Sequence, residues 1–153
     1  MEGSIMNVSL IQKLYQDVQK NSIGVQRIKV DLHVHTPASY DFEYGDKLED
    51  DAYCTLLDEA VEKRIRIIAI TDHNTFEGAN KIRELVRINR KYSDLLILCG
   101  IEITCFSKHM IAIFPDSFSL REQNAFLAEI GISESVQGTE DAVADNYGPA
   151  ILL

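Results

Sequence analysis

Strand-like and helix-like segments alternate along this chain, and the alternation limits the folds that it can adopt. The strand-like segments are rich in β-branched residues, and the helix-like segments repeat apolar residues at helical spacing. The predicted strands are 28–35, 66–70, 95–104 and 109–114, and the predicted helices between them are 53–61 and 75–92. This order predicts an α/β fold with a mostly parallel sheet, either open or closed into a barrel.

The first predicted strand, residues 28–35, alternates apolar and polar side chains without interruption. Successive side chains of a strand point to opposite faces, so residues two apart share a face. We therefore expect Asp31, His33 and His35 on one face of this strand.

Two later segments carry equally local predictions. The run 95–104 is almost continuously apolar, which is typical of a strand buried on both faces. Ser119 and Glu122 have the spacing of a capping box, which predicts that a helix begins there. Gly131 predicts where that helix ends.

The two ends of the chain differ from its middle. Residues 1–24 predict a lead-in that contains an amphipathic helix, because apolar residues recur at helical spacing between positions 8 and 18. Residues 25–153 then form one domain, which is long enough to bury a core without disulfides. The apolar segment 149–153 predicts a further strand of the same sheet, so we expect a domain that is cut short there.

Charge and cysteine content narrow the class of protein. The net charge of −9 argues against a broad basic surface that binds nucleic acid. Bound divalent cations could supply the local positive charge that a phosphate needs. Cys54, Cys99 and Cys105 contain no CxxC pair, so they indicate reduced thiols. The sequence contains no secretory signal and no membrane-spanning run, which predicts a cytoplasmic location and no membrane partner.

The chain has only four histidines, and each lies at a predicted strand position or strand end: His33, His35, His73 and His109. His33 and His35 are two positions apart on a strand, so both rings can reach one metal ion. Alone, such a pair is also typical of surface or core histidines. His73 follows the strand 66–70 at its C-terminal end, where α/β folds place their sites, although its turn is also a candidate helix cap.

Glu102 places a carboxylate inside the apolar run 95–104. A buried carboxylate needs a partner or a cation, whereas a strand end that reaches solvent needs neither. Because histidines are expected nearby, we predict that Glu102 is a metal ligand. We also expect His33, His35, Glu102 and His109 around a common centre, more buried than ordinary surface residues.

Four motifs in this order resemble the polymerase and histidinol phosphatase (PHP) family of phosphoesterases. Residues 31–39 (DLHVHTPAS) are similar to the first motif, 71–74 (TDHN) to the second and 100–103 (GIEI) to the third. His109 stands where that family has a histidine opening the next strand. The resemblance covers residues 28–114 in detail and the remainder loosely.

The resemblance implies a distorted (β/α)7 barrel that holds two or three divalent ions, commonly Zn, Mn or Fe. By this resemblance Glu102 bridges two ions, and the metal ligands present in this chain are His33, His35, Asp41, His73, Glu102 and His109. Glu43 and Asp46 lie in the same acidic loop as Asp41 and are alternatives to it. Asp31 and Asp72 would assist catalysis by orienting a ligand histidine through a hydrogen bond.

The chain departs from the family near its end. Complete members carry a further histidine after a strand like 149–153 and a later Asp-x-His pair, and neither occurs here. We therefore expect an incomplete barrel whose exposed sheet edges favour self-association. The first motif with its long lead-in also resembles the PHP module at the N-terminus of large ATPases assigned to DNA repair or RNA processing. That likeness implies a C-terminal ATPase region as partner.

The predicted function is metal-dependent hydrolysis of a phosphate monoester or diester, with a nucleotide or nucleic acid among the candidate substrates. Two alternatives stay open. The first is a non-catalytic metal-binding or regulatory module of a larger ATPase. The second is metal-dependent amide hydrolysis on a related barrel, which shares the HxH strand.

Overall fold

The fold is a mixed α/β arrangement in a computed structural model that describes residues 12, 15–16, 27–43, 49–105, 108–133 and 137–139. Its elements, in chain order, are β1 (Lys29–Val34), α1 (Glu49–Glu62), β2 (Ile65–Ile70), α2 (Glu77–Ile88), a 3-10 turn (Arg90–Tyr92), β3 (Leu96–Cys105), β4 (Lys108–Phe114) and α3 (Leu120–Glu129). The predicted alternation of strands and helices is therefore confirmed.

The described strands form one sheet in the order β1-β2-β3-β4. β1, β2 and β3 are parallel neighbours, and β4 pairs antiparallel with β3. The mostly parallel sheet is confirmed to this extent. Because β4 runs backwards, its first residues lie beside the carboxyl end of β3, at the edge where α/β folds build their sites.

The two faces of the sheet differ in what covers them. One face packs against the helices through the buried residues Ile68, Ile70, Ile97, Cys99, Ile101 and Ile103, together with Leu57, Ile82 and Leu127. Glu102 and Thr104 alternate with these residues along β3, so they lie on the opposite face. They are only 5% and 4% exposed. The prediction that β3 is buried on both faces is confirmed.

The uninterrupted alternation predicted for β1 is wrong. Asp31 pairs with Ile68 and Val34 pairs with Ile70, so β1 advances by three residues where its neighbour β2 advances by two. One extra residue in β1 reverses which side chains face which way. Asp31 and Val34 therefore share the face of Ile68, and His33 points to the other face.

The predicted helix 75–92 is too long at both ends, because α2 begins at Glu77 and ends at Ile88. The side chain of Asn89, which has an extended backbone, accepts a hydrogen bond from Lys91 N and starts the separate 3-10 turn. Asparagine competes in this way with continued helix hydrogen bonding.

The capping box and the helix end are both confirmed around α3. Ser119 Oγ accepts from Glu122 N, and the Glu122 side chain accepts from Ser119 N. Gly131, with φ of 76°, follows the helix in the left-handed conformation that favours glycine.

The described residues test only part of what was predicted for the two ends of the chain. Residues 12, 15 and 16 are helical, and the rest of the lead-in lies outside the described part. The strand predicted at 149–153 also lies outside it, so the domain boundaries stay predictions. Among the described residues, no helix is long and apolar enough to span a membrane.

Candidate metal centre

The backbone brings the predicted site residues to one edge of the sheet. Pairing of β2 with β3 continues past the end of β2 as a parallel bridge between His73 and Glu102. Glu102 N donates to Asp72 O at 3.0 Å, and Asn74 N donates to Glu102 O at 2.8 Å. These bonds fix His73 against Glu102. The loop that begins at His35, after β1, lies on one side of this pair, and the start of β4 lies on the other.

Donor atoms of six side chains form three groups in which every atom lies within 4.8 Å of the others. Three of the six side chains belong to two groups each. The groups are His33, His35 and Glu102; His35, Asp41 and His73; and His73, Glu102 and His109. These are the six residues that the family resemblance implied as ligands, and their roles as ligands stay predictions.

Glu102 lies at the centre of this arrangement. Its Oε2 is 2.7 Å from His33 Nε2 and 2.8 Å from His35 Nε2, and its Oε1 is 3.0 Å from His109 Nδ1. Burial alone would raise the pKa of this carboxyl, but hydrogen bonds to His33 and His35 outweigh it and the net pKa is lowered. The carboxylate is therefore ionised at neutral pH.

Asp41 is held at the second group by hydrogen bonds from two residues. Its carboxylate lies 2.7 Å from His35 Nδ1, and Ser39 Oγ donates to it at 2.7 Å. Burial raises the pKa of this carboxyl, but the hydrogen bonds to Ser39 and His35 lower it by more, so the net pKa is below the usual value. Ser39 Oγ also accepts from His73 N at 3.2 Å, which joins this loop to the next one.

His73 is the most buried of the histidines, with a side chain only 4% exposed. Thr104 Oγ1 lies 3.2 Å from its Nδ1, which leaves Nε2 facing Asp41 at 3.7 Å and Glu102 at 3.9 Å. Burial lowers the pKa of His73 despite the two nearby carboxylates. A neutral ring with one nitrogen fixed by a hydroxyl is the form in which histidine binds metals.

The donor set fits a divalent metal ion. A tetrahedral shell with bonds of about 2.0 Å places neighbouring donors about 3.3 Å apart. The nitrogens of His33 and His35 are 3.1 Å apart, and each lies 2.7 or 2.8 Å from Glu102. In the described part, the carboxylates of Asp41 and Glu102 pair with histidines and with no lysine or arginine. Their negative charge is therefore available to a bound cation.

The expected burial of the histidines is only partly correct. His35 and His73 have side chains 17% and 4% exposed, whereas His33 is 51% and His109 is 44% exposed. The exposed pair lies on β1 and β4, the outer strands of the described sheet. The two half-exposed rings are thus those within the outer strands, whereas His35, which directly follows β1, is mostly buried.

Asp31 and Asp72 are placed differently from the prediction that they contact a ligand ring. The Asp31 carboxylate accepts a long bond, 3.4 Å, from His33 N. It also lines a cavity of about 660 Å³ between β1 and α1, together with His33 and His35. The Asp72 carboxylate accepts from Thr36 N at 2.6 Å and from Thr36 Oγ1 at 2.8 Å. In both cases the contact is with a neighbouring loop or backbone and not with a ring.

Three residues around the centre were not predicted from the sequence. Thr104 contacts His73, Ser39 joins two loops, and Thr36 binds Asp72. Thr104 lies two residues after Glu102 on a strand, so alternation alone would have placed it on the same face. The other two contacts span more than thirty residues of sequence and have no local signal.

Comparisons with known proteins give distant matches. No protein-family model matches the chain. An uncharacterized protein of Methanocaldococcus jannaschii is 30% identical over 92 residues, which are 57% of this chain and 50% of that protein. A protein of Bifidobacterium adolescentis assigned as a metal-dependent phosphoesterase aligns with 24% identity and a TM-score of 0.46, over 70% of this chain and 34% of its own.

A second solved structure is an amidohydrolase from Chromobacterium violaceum with bound sulfate and no metal. It aligns with 20% identity and a TM-score of 0.45, over 67% of this chain and 33% of its own. The chain thus spans about half the length of the curated relative and about a third of each solved chain. This partial coverage does not assign the activity of any of these proteins to the chain.

Proposed function

We propose that this chain is the metal-binding part of a PHP-type phosphoesterase that uses two or three divalent ions, Zn, Mn or Fe. One observation carries the proposal: His35, His73 and Glu102 each belong to two of the three donor groups. Groups that overlap in this way lie close enough together for neighbouring ions, which the two carboxylate oxygens of Glu102 could bridge, and phosphatases and nucleases use paired ions of this kind. The four motifs that resemble the PHP family contribute these same donors.

The charges of the site favour this chemistry. Asp41 and Glu102 are ionised and would repel a phosphate, so an anionic substrate requires bound cations at this edge. A divalent ion supplies Lewis-acid chemistry, because it neutralises charge on a phosphate and makes water a stronger nucleophile at neutral pH. His73 and Glu102 would form the buried side of the site, and the half-exposed His33 and His109 would face an approaching substrate.

The wider setting is part of the same proposal. The described sheet would belong to a distorted (β/α)7 barrel of a cytoplasmic protein, with a C-terminal ATPase region and a role in DNA repair or RNA processing. The net charge of −9 favours a small phosphate ester, such as a nucleotide, over a long nucleic acid. Apolar side chains on β1 and β4, including Val30 at 49% and Met110 at 47% exposure, support self-association through the sheet edges.

The replacement Glu102→Gln tests the proposal, because it keeps the shape of the side chain and removes the shared charge. We expect metal affinity and phosphatase activity to fall together, each by more than about 100-fold, so that the metal content of the purified protein also falls, since even outer contacts of metal ligands contribute 10- to 100-fold. Metal is measured by elemental analysis of purified protein. Activity is measured on chromogenic phosphate monoesters, phosphate diesters and amides with Zn, Mn and Fe.

Glu84→Gln is the matched control, because Glu84 is an exposed carboxylate on α2 away from the site. It should leave both metal content and rate unchanged. Metal binding without hydrolysis of any ester would favour the non-catalytic module, and turnover of amides alone would favour amide hydrolysis. Unchanged metal content and rate in Glu102→Gln would contradict the proposed centre itself.

A further inference from the structure

Asp72 and Thr36 tie together the two loops that carry donor atoms. Thr36 directly follows His35, and Asp72 directly precedes His73. Both carboxylate oxygens of Asp72 are used, one by Thr36 N at 2.6 Å and one by Thr36 Oγ1 at 2.8 Å. Both residues are 0% exposed, so water does not compete for these bonds.

The pair is also enclosed from the side of α2. Gly78 lies against it so closely that a Cβ at this position would overlap Asp72 Oδ2 and Thr36 Oγ1. Thr36 Oγ1 in addition accepts from Ala38 N at 3.2 Å, which fixes the turn that leads towards Asp41. The two side chains are thus held in one arrangement by the helix and by both loops.

The three donor groups depend on this tie to different degrees. His73 and Glu102 are fixed by β-bridge hydrogen bonds that do not involve Thr36. By contrast, the group of His35, Asp41 and His73 takes its donors from both loops. A change in the separation of the loops therefore alters this group most, because two of its three donors move against His73, whereas the group of His73, Glu102 and His109 takes no donor from the His35–Asp41 loop.

We propose that Asp72 and Thr36 are positioning residues that set the distance between the His35–Asp41 loop and His73. They act through the bonds that Asp72 accepts from the Thr36 backbone and hydroxyl, and neither contacts a ligand ring in the hydrogen bonds of the described chain. The inference rests on the proposed metal centre. According to the inference, the pair controls how tightly one ion binds, namely the ion that His35, Asp41 and His73 would hold.

Thr36→Val tests the inference, because valine keeps the branched shape and removes the hydroxyl. Co²⁺ binding to the purified chain is followed by its visible absorption and by calorimetry. We expect one equivalent of Co²⁺ to bind about 10- to 100-fold more weakly, the range found when outer contacts of metal ligands are lost. The equivalent held by His73, Glu102 and His109, which takes no donor from the His35–Asp41 loop, should keep its affinity. Thr36→Ser, which restores the hydroxyl, should bind Co²⁺ as the parent chain does.

Gln123→Met is the control for a purely structural effect. Gln123 is 2% exposed and hydrogen-bonded to Asn80, away from both loops. This variant should lose stability in urea and keep its Co²⁺ affinity. Equal Co²⁺ binding by the parent, Thr36→Val and Thr36→Ser would overturn the inference while leaving the metal centre intact.

Two further outcomes are decisive. If Thr36→Val does not fold even with saturating Co²⁺, the pair is a core contact and not a positioning one, and the inference is overturned. If the parent chain binds no Co²⁺, the proposed function fails first and the inference falls with it.

Discussion

Replacing Gly78 by alanine sets two opposing effects against each other. Gly78 is the second residue of α2, and alanine is favoured over glycine within a helix by about 1 kcal/mol. The new methyl group would lie far inside the 3.4–4 Å of ordinary contact with Asp72 Oδ2 and Thr36 Oγ1. Rotating the Thr36 hydroxyl away would leave the overlap with Asp72 Oδ2 and a tight contact of 3.0 Å with Thr36 Cβ.

The steric effect is the larger of the two. Overpacking a well-packed interior costs about 1–3 kcal/mol. Separating Asp72 from Thr36 also breaks a buried hydrogen bond to a carboxyl group, which contributes about 1.5–3 kcal/mol. After subtracting the helix preference of about 1 kcal/mol, we expect Gly78→Ala to lower the free energy of unfolding by about 1.5–5 kcal/mol.

Urea unfolding followed by circular dichroism measures this change, with the m-value as a check that the same surface is exposed in both proteins. Glu84→Ala, at an exposed position of the same helix, should stay within about 0.5 kcal/mol of the parent. If Gly78→Ala were as stable as the parent or more stable, the close packing of α2 on the Asp72 and Thr36 pair would be refuted.

Two further predictions concern titrating groups away from the metal centre. Burial raises the pKa of the Cys99 thiol to about 11, so little reactive thiolate is present at pH 8. In a protein with Cys54→Ser and Cys105→Ser, Cys99 should therefore resist a disulfide reagent at pH 8 until urea is added. Fast labelling of the folded protein would contradict this. Burial and the hydrogen bond to Asp58 raise the pKa of Tyr92 from 10.0 to about 12, so the unfolded chain loses this proton first as the pH rises. The free energy of unfolding should therefore fall between about pH 10 and 12, and it should fall less in Tyr92→Phe, as measured by urea unfolding across that range.

Local signals in the sequence predicted those parts of the fold that local interactions determine. The capping box of Ser119 and Glu122 is closed by contacts three residues apart, and Gly131 needs only its own backbone conformation. By contrast, the bulge in β1 arises from the register with β2, which lies more than thirty residues away. Periodicity within one strand cannot reveal a shift that depends on its neighbour, so Asp31 was expected on the face of His33.

The same distinction applies to the site. Residue type and strand ends were enough to single out His33, His35, His73 and Glu102, which the fold brings together. The expectation that Asp72 orients a ring differs from the structure because its partner, Thr36, is set by how two loops pack on α2.

The depth of each donor in the sheet determines how rigid the centre is. Glu102 lies on β3, an inner strand, and its backbone is bonded on both sides of His73, so these two side chains cannot separate without breaking the sheet. His33 and His109 lie on the outer strands of the described sheet and are half exposed. A buried, fixed pair keeps donors in place before a cation arrives, and this preorganisation reduces the ordering cost of binding. In the proposed function, an ion and its substrate would approach the centre past this half-exposed outer pair.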